Sequence, residues 1–220
     1  MEERYFTALA AAWVRGRHPD LARPTDEATV AAALEQEVRL HRFKRSSLLP
    51  RVQRVLGLLR GFAPESLLDV GSGRGAFLWP LLDAMPGLAV TAIDVLDHRV
   101  DDIAAVAEGG YPNLRARLED VERLDEQDAY DVGTILEVLE HLPQPARAMR
   151  ALLKACRRAV IATVPSKADD NPEHRHLFDG AQLKAMFSEA GARRVDVDYV
   201  LNHIVVVAHR GPRDASPGAR

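Results

Sequence analysis

The sequence is poor in cysteine. Cys156 is the only one among 220 residues, so neither an internal disulfide nor a Cys-rich zinc site can be built. It also lacks a strong excess of either charge. With 29 basic and 32 acidic side chains the formal net charge is -3, which argues against a large electrostatic footprint on RNA or DNA. Contact with one short nucleic-acid end remains compatible with that balance. No apolar run is long enough to span a bilayer and no secretory h-region stands out, so no membrane span and a cytoplasmic protein are expected. What is present is ordinary for a soluble globular chain: 47% hydrophobic and 28% charged residues. The length suits one domain with a real core and a small helical appendage.

Three regions follow from the patterning. Residues 1–61 read as a helical cap. "YFTALAAAWV" is apolar and Ala-rich, and Pro24-Thr25-Asp26 interrupts it with Thr25 or Asp26 as a helix cap. The stretch from Ala28 to Arg60 reads as one or two amphipathic helices, broken or kinked near Pro50. From residue 62 to 210, short β-branched runs ("SLLDV", "LAVTAIDV", "NLRARL", "YDVGTIL", "RRAVIATV") alternate with helical stretches. That alternation predicts a doubly wound, mostly parallel α/β sheet, Rossmann-like, with helices on both faces. "RRVDVDYVLNHIVVVAHR" adds two strand-like runs turning near Asn202, which gives seven strands and an antiparallel C-terminal hairpin. Residues 211–220 read as a disordered tail.

"LLDVGSGRGAFL" joins the first strand to the first helix, at the carboxyl edge where such sheets bind ligands. Gly71, Gly73 and Gly75 permit a tight turn and close approach of a ligand to the main chain. Gly71-x-Gly73-x-x-Ala76 also fits a dinucleotide fingerprint, with Asp94 about 20 residues on for a ribose hydroxyl. Asp69 decides between ligands. Its carboxylate would repel a pyrophosphate, whereas the ammonium and sulfonium of S-adenosylmethionine suit it. An NAD-dependent oxidoreductase is the rival reading, and a non-catalytic cofactor-binding protein is a third.

On these residues the chain resembles the class I S-adenosylmethionine-dependent methyltransferases over roughly residues 66–210. "DVGSGRG" is similar to their first motif, "AIDV" to the second, "LEDVERL" to the third and "YDVGTILEVLEHL" to the fourth. The resemblance implies that Asp69, Gly71, Ser72 and Gly73 hold the methionine portion. It implies that Asp94 meets the ribose, that Val95 lies against the cofactor, that Asp120 receives the adenine amino group, that Val121 contacts the ring, and that Glu137 borders the cofactor.

"EVLEHLPQP" follows the fourth strand. Spacing of i, i+3, i+4 would bring Glu137, Glu140 and His141 to one side of a helical turn. Two carboxylates held close repel unless a cation or proton lies between them. Oxygen ligands with one imidazole suit Mg2+, Mn2+ or iron better than a structural zinc. His176 is the first choice for a further ligand and His174 the second. The Glu-x-x-Glu-His form resembles two subgroups, the ubiquinone-biosynthesis O-methyltransferases and the small-RNA 3′-terminal 2′-O-methyltransferases; "HLFD" is a partial match to the latter. Both imply methylation of a hydroxyl with divalent-metal assistance. His141 is the catalytic candidate, as a general base where no metal is present. A plain helix start, favoured by the dipole at Glu side chains, remains the bland alternative.

The resemblance implies a small-molecule acceptor, with an RNA 3′ end as the alternative. "RLHRFKRSS" puts His41, Arg42, Lys44 and Arg45 close together, either to cap the site and attract an anionic substrate or as a solvated face. No residue signals an oligomeric state.

Overall fold

The computed structural model describes residues 5–45, 49–168 and 170–211. The tail expected from residue 211 lies outside the described residues from 212 onward. The strands run in the order β3-β2-β1-β4-β5-β7-β6, a seven-stranded, mostly parallel sheet. Its chain divides into two compact units, residues 1–120 and 121–220.

In the first unit, α1 (Thr7–Arg17) is buried along most of its length, as its Ala-rich sequence demands. Thr25 caps α2 (Asp26–Glu35) by accepting the amide of Ala28 at 3.2 Å. The helical run then stops. A 3-10 turn at His41–Phe43 follows, and α3 (Pro50–Phe62) begins on Pro50 itself. The expected break near Pro50 is therefore a helix start, because proline suits the first helical position, where its missing N–H is no loss. Strands β1 (Ser66–Val70), β2 (Ala89–Asp94) and β3 (Leu114–Leu118) pair in parallel, Leu68 opposite Thr91 and Ala92 opposite Ala116. Between them lie α4 (Leu78–Ala84), with Pro80 in its first turn, and α5 (Asp97–Glu108).

Small residues let α1 and α5 approach closely. A Cβ on Gly16 would stand 2.2 Å from the carbonyl oxygen of Ala105, and one on Gly109 1.7 Å from that of Ala12. Polar groups fasten the same seam. The Trp13 indole donates to Asp102 Oδ1 at 3.1 Å, and Arg42 pairs with the same carboxylate while stacking over the Trp13 ring. Burial, with Arg99 and Arg17 nearby, lowers the Arg42 pKa from its ordinary value.

In the second unit, β4 (Tyr130–Leu136) pairs in parallel with β5 (Cys156–Pro165). They are joined through α6 (Pro145–Ala155), which starts on a proline and buries Ala148, Met149, Leu152 and Leu153 as one face. A capping box of Asp179 and Gln182 opens α7 (Gly180–Glu189). β6 (Arg194–Val200) and β7 (His203–His209) form the expected hairpin, turning at Leu201 with φ 52°, and β7 runs antiparallel to β5. Arg210 Nη1 lies 2.8 to 2.9 Å from the carbonyl oxygens of Leu153, Lys154 and Cys156, a charged cap on the end of α6. No helix among the described residues is long and apolar enough to cross a membrane.

Candidate functional site

In the first unit the chain leaves β1 and turns sharply. Gly71, Gly73 and Gly75 all take the left-handed region, with φ of 68°, 55° and 81°, which only glycine enters freely. A side chain at Gly75 would collide with Trp79, whose indole nitrogen donates to the Arg74 carbonyl at 3.0 Å and clamps the turn. Asp69 is buried at the end of β1, and the Ser72 hydroxyl donates to its Oδ2 at 2.5 Å. The loop is thus wound over an acid.

Asp94 ends β2 and is also buried. Its Oδ2 accepts the Gly73 amide at 3.1 Å and its Oδ1 the Leu96 amide at 3.0 Å, so one carboxylate joins the glycine turn to the start of α5. Each oxygen keeps a lone pair for another donor. Val95 beside it is 62% exposed, an apolar side chain left uncovered at a strand end. The Glu119 amide bonds the Asp94 carbonyl at 3.0 Å, which brings the acidic stretch holding half-buried Asp120 alongside. Asp69, Gly71, Ser72, Gly73, Asp94 and Val95 are therefore gathered at the ends of neighbouring strands.

The second unit presents a different chemistry. Val121 is buried at the start of a 3-10 turn, Val121–Arg123. Glu140 (1% exposed), His141 and His174 offer ligand atoms that all lie within 4.8 Å of one another. The two imidazoles meet edge to face at 4.8 Å between centroids. His141 Nδ1 is 3.1 Å from the Glu173 carbonyl oxygen. A carbonyl only accepts, so Nδ1 carries the proton and Nε2 is left as the basic or metal-ligating nitrogen. The loop holding His174 is fixed by the amides of Arg175 and His176, which donate to the Glu140 carbonyl at 2.8 and 3.2 Å.

Two expected members stand apart from this cluster. His176 puts its Nε2 2.9 Å from the Leu142 carbonyl and stacks on Phe178, so His174 takes the place expected of it. Glu137 does not share a helical turn with Glu140 and His141, because the turn begins only at Leu139 and Glu137 itself has φ 57°. Its Oε1 accepts the Thr163 hydroxyl at 2.7 Å, and its Oε2 lies 3.1 Å from His203 Nε2. A non-glycine residue held in the left-handed region by such partners is a strained position of the sort found at working sites. His203 escaped sequence reasoning. Its only signal is the antiparallel β5–β7 register, which sets His203 opposite Pro165, two residues beyond Thr163.

Strand order, glycine turn and strand-end acids together define a Rossmann-like α/β domain built for a nucleoside-bearing ligand. The methyltransferase domain family matches residues 40–197, and the chain belongs to that family. It is 36% identical over 140 residues to a ubiquinone biosynthesis O-methyltransferase of Paramagnetospirillum magneticum, covering 63% of this chain and 51% of that protein. Another protein of that name, from Paracidovorax citrulli, is 38% identical over 114 residues, 48% of this chain and 44% of its own. The chain thus spans about half the length of these curated relatives or less. Among solved structures it is similar in fold to the N-terminal domain of EvdMO1 in the presence of SAH and D-fucose, with TM-score 0.59, 19% identity, and 76% and 85% of the two chains covered. It is also similar to magnesium protoporphyrin IX methyltransferase (ChlM) of Synechocystis PCC 6803 with bound SAM, with TM-score 0.56, 16% identity, and 91% and 90% covered.

Proposed function

We propose that this chain is an S-adenosylmethionine-dependent methyltransferase acting on a hydroxyl oxygen of a small molecule in the cytoplasm. The observation that carries the reading is Asp69, buried beneath the glycine turn with Ser72 bonded to it. A diphosphate would meet that negative charge where it needs backbone donors, whereas an ammonium and a sulfonium are attracted to it. Asp94 orients the ribose hydroxyls with the lone pairs its two amide bonds leave over. Val95 and Val121 offer apolar contact to the adenine, Asp120 accepts its amino group, and Glu137 borders the cofactor. Residues 62–210 hold the donor and residues 1–61 shape acceptor choice. The relatives named for ubiquinone biosynthesis support an oxygen acceptor.

S-adenosylmethionine, when bound, supplies a methyl carbon whose bonding pair stays on sulfur as it leaves. With no metal bound, His141 takes the acceptor's hydroxyl proton at Nε2, the nitrogen a metal would otherwise occupy, and most of the remaining barrier reduction comes from positioning. Calorimetry with S-adenosylhomocysteine and with NAD checks the donor: the first binds and the second does not. A folded sample that ignores S-adenosylhomocysteine ends this reading.

The cluster itself favours a second component. One carboxylate and two imidazoles within 4.8 Å fit a divalent ion, and that donor set suits Mn2+ better than Mg2+. Glu140, His141 and His174 would hold it, in place of the set of Glu137, Glu140, His141 and His176, and it would supply a Lewis acid to the acceptor oxygen. Electron paramagnetic resonance of added Mn2+ tests this: binding is lost in His174→Ala. Equal binding by the variant refutes the ligand set.

A further inference from the structure

We propose that the first unit carries an oxyanion subsite for the acceptor, a place for a carboxylate or phosphate borne by an otherwise apolar molecule. This deepens the methyltransferase reading and rests on it. A cavity of about 340 Å³ lies between the His41–Phe43 turn and the glycine turn, bordered by Arg74 and Gly75. That volume is in the range of small-molecule sites and far exceeds a lone carboxylate. Phe6, Leu49 and Trp79 give it apolar walls that suit a ring or a short chain.

Its charge is one-sided. His41, Lys44 and Arg74 line it, and none of its described lining residues is acidic, although the chain as a whole has more acids than bases. Nearby acids are already engaged. Asp102 holds Arg42, the fourth basic residue of the wall, and Asp83 holds Arg45 at 2.7 Å. Among the described residues Lys44 and Arg74 have no carboxylate partner, and both are exposed. Two permanent cations beside apolar walls raise the affinity for an anionic amphiphile, because part of the ligand's desolvation is offset by charge-assisted bonds. The same cations could serve the methyl donor's own carboxylate. The size of the cavity and its apolar lining favour the acceptor, and the experiment separates the two.

The full chain is titrated by calorimetry, in saturating S-adenosylhomocysteine, with 3,4-dihydroxybenzoate, its neutral isostere 3,4-dihydroxybenzamide, and phenyl phosphate. At least one anion binds about tenfold more tightly than the amide. Whichever anion wins identifies carboxylate or phosphate as the group recognised. Lys44→Gln, an exposed change that keeps the aliphatic stem, removes most of that preference and leaves S-adenosylhomocysteine affinity unchanged. Equal binding of anions and amide overturns the proposal. So does a Lys44→Gln variant that loses S-adenosylhomocysteine affinity instead, since the charge then serves the donor. Failure of the folded wild type to bind S-adenosylhomocysteine at all sinks the methyltransferase reading, and with it the assignment of the anion to an acceptor, whatever the anion preference shows.

Discussion

Gly73 donates its amide to Oδ2 of Asp94 at 3.1 Å, across 21 residues of chain. A turn that only glycine can make is thereby locked to the acid that ends the next strand. Asp94→Asn keeps the size but replaces one acceptor oxygen with a donor that faces an amide. S-adenosylhomocysteine affinity should fall at least about tenfold, and the melting temperature should drop by a few degrees, since an unmade buried bond costs roughly 1–3 kcal/mol. Calorimetry and a thermal melt read the two effects separately. Unchanged affinity would remove Asp94 from the donor site.

His141 and Glu140 separate chemistry from cofactor binding. His141→Ala should lower kcat by about a hundredfold or more, the usual share of a general base, with S-adenosylhomocysteine affinity intact. Glu140→Ala should lower activity in Mn2+-supplemented enzyme and change little after chelator treatment, since its part is to hold the ion. Should both variants turn over as fast as the wild type, the cluster has no part in the reaction.

Gly109→Ala should be costly. The new methyl would be driven into the Ala12 carbonyl at 1.7 Å, and a backbone group cannot rotate away. Overpacking of this kind costs about 1–3 kcal/mol, so a urea midpoint should shift down visibly. Gly57→Ala, where nothing lies within 4 Å of the new carbon, serves as the control and should be neutral or slightly stabilising.

Cys156 is buried against Gly133, where an added Cβ would stand 2.7 Å from its sulfur. Burial pushes its thiol up from 9.0 to about 12. A raised folded pKa means the native state keeps a proton that the unfolded chain gives up. Its stabilising contribution is therefore whole below pH 9 and is lost as pH climbs toward 12. Cys156→Ala should flatten that alkaline slope in a stability-against-pH series. In the native wild type at pH 8 the thiol should resist a disulfide reagent until denaturant is added.

The strands and most helices were legible because they are local. β-Branched runs, Thr25 as a cap and the glycine turn each state their role within a few residues. The strand-end acids Asp69 and Asp94 followed from the same alternation. The choice between His174 and His176 did not, because it depends on a loop whose amides hang from the Glu140 carbonyl and on nothing periodic. Helical spacing misassigned Glu137 for a related reason. Its left-handed backbone breaks the period two residues before the turn begins at Leu139. Partners such as His203 for Glu137 and Asp102 for Arg42 are set by strand register and helix docking, which no short window contains.

Because Asp102 grips both Trp13 and Arg42, the basic stretch that follows α2 is aimed by a helix encoded some sixty positions later. Grafting the opening segment onto a homologous scaffold would transfer the amino acids without their direction unless α5 travelled with it. On the proposed role of residues 1–61 in acceptor choice, an exchange of that preference requires two separated gene fragments to move as one.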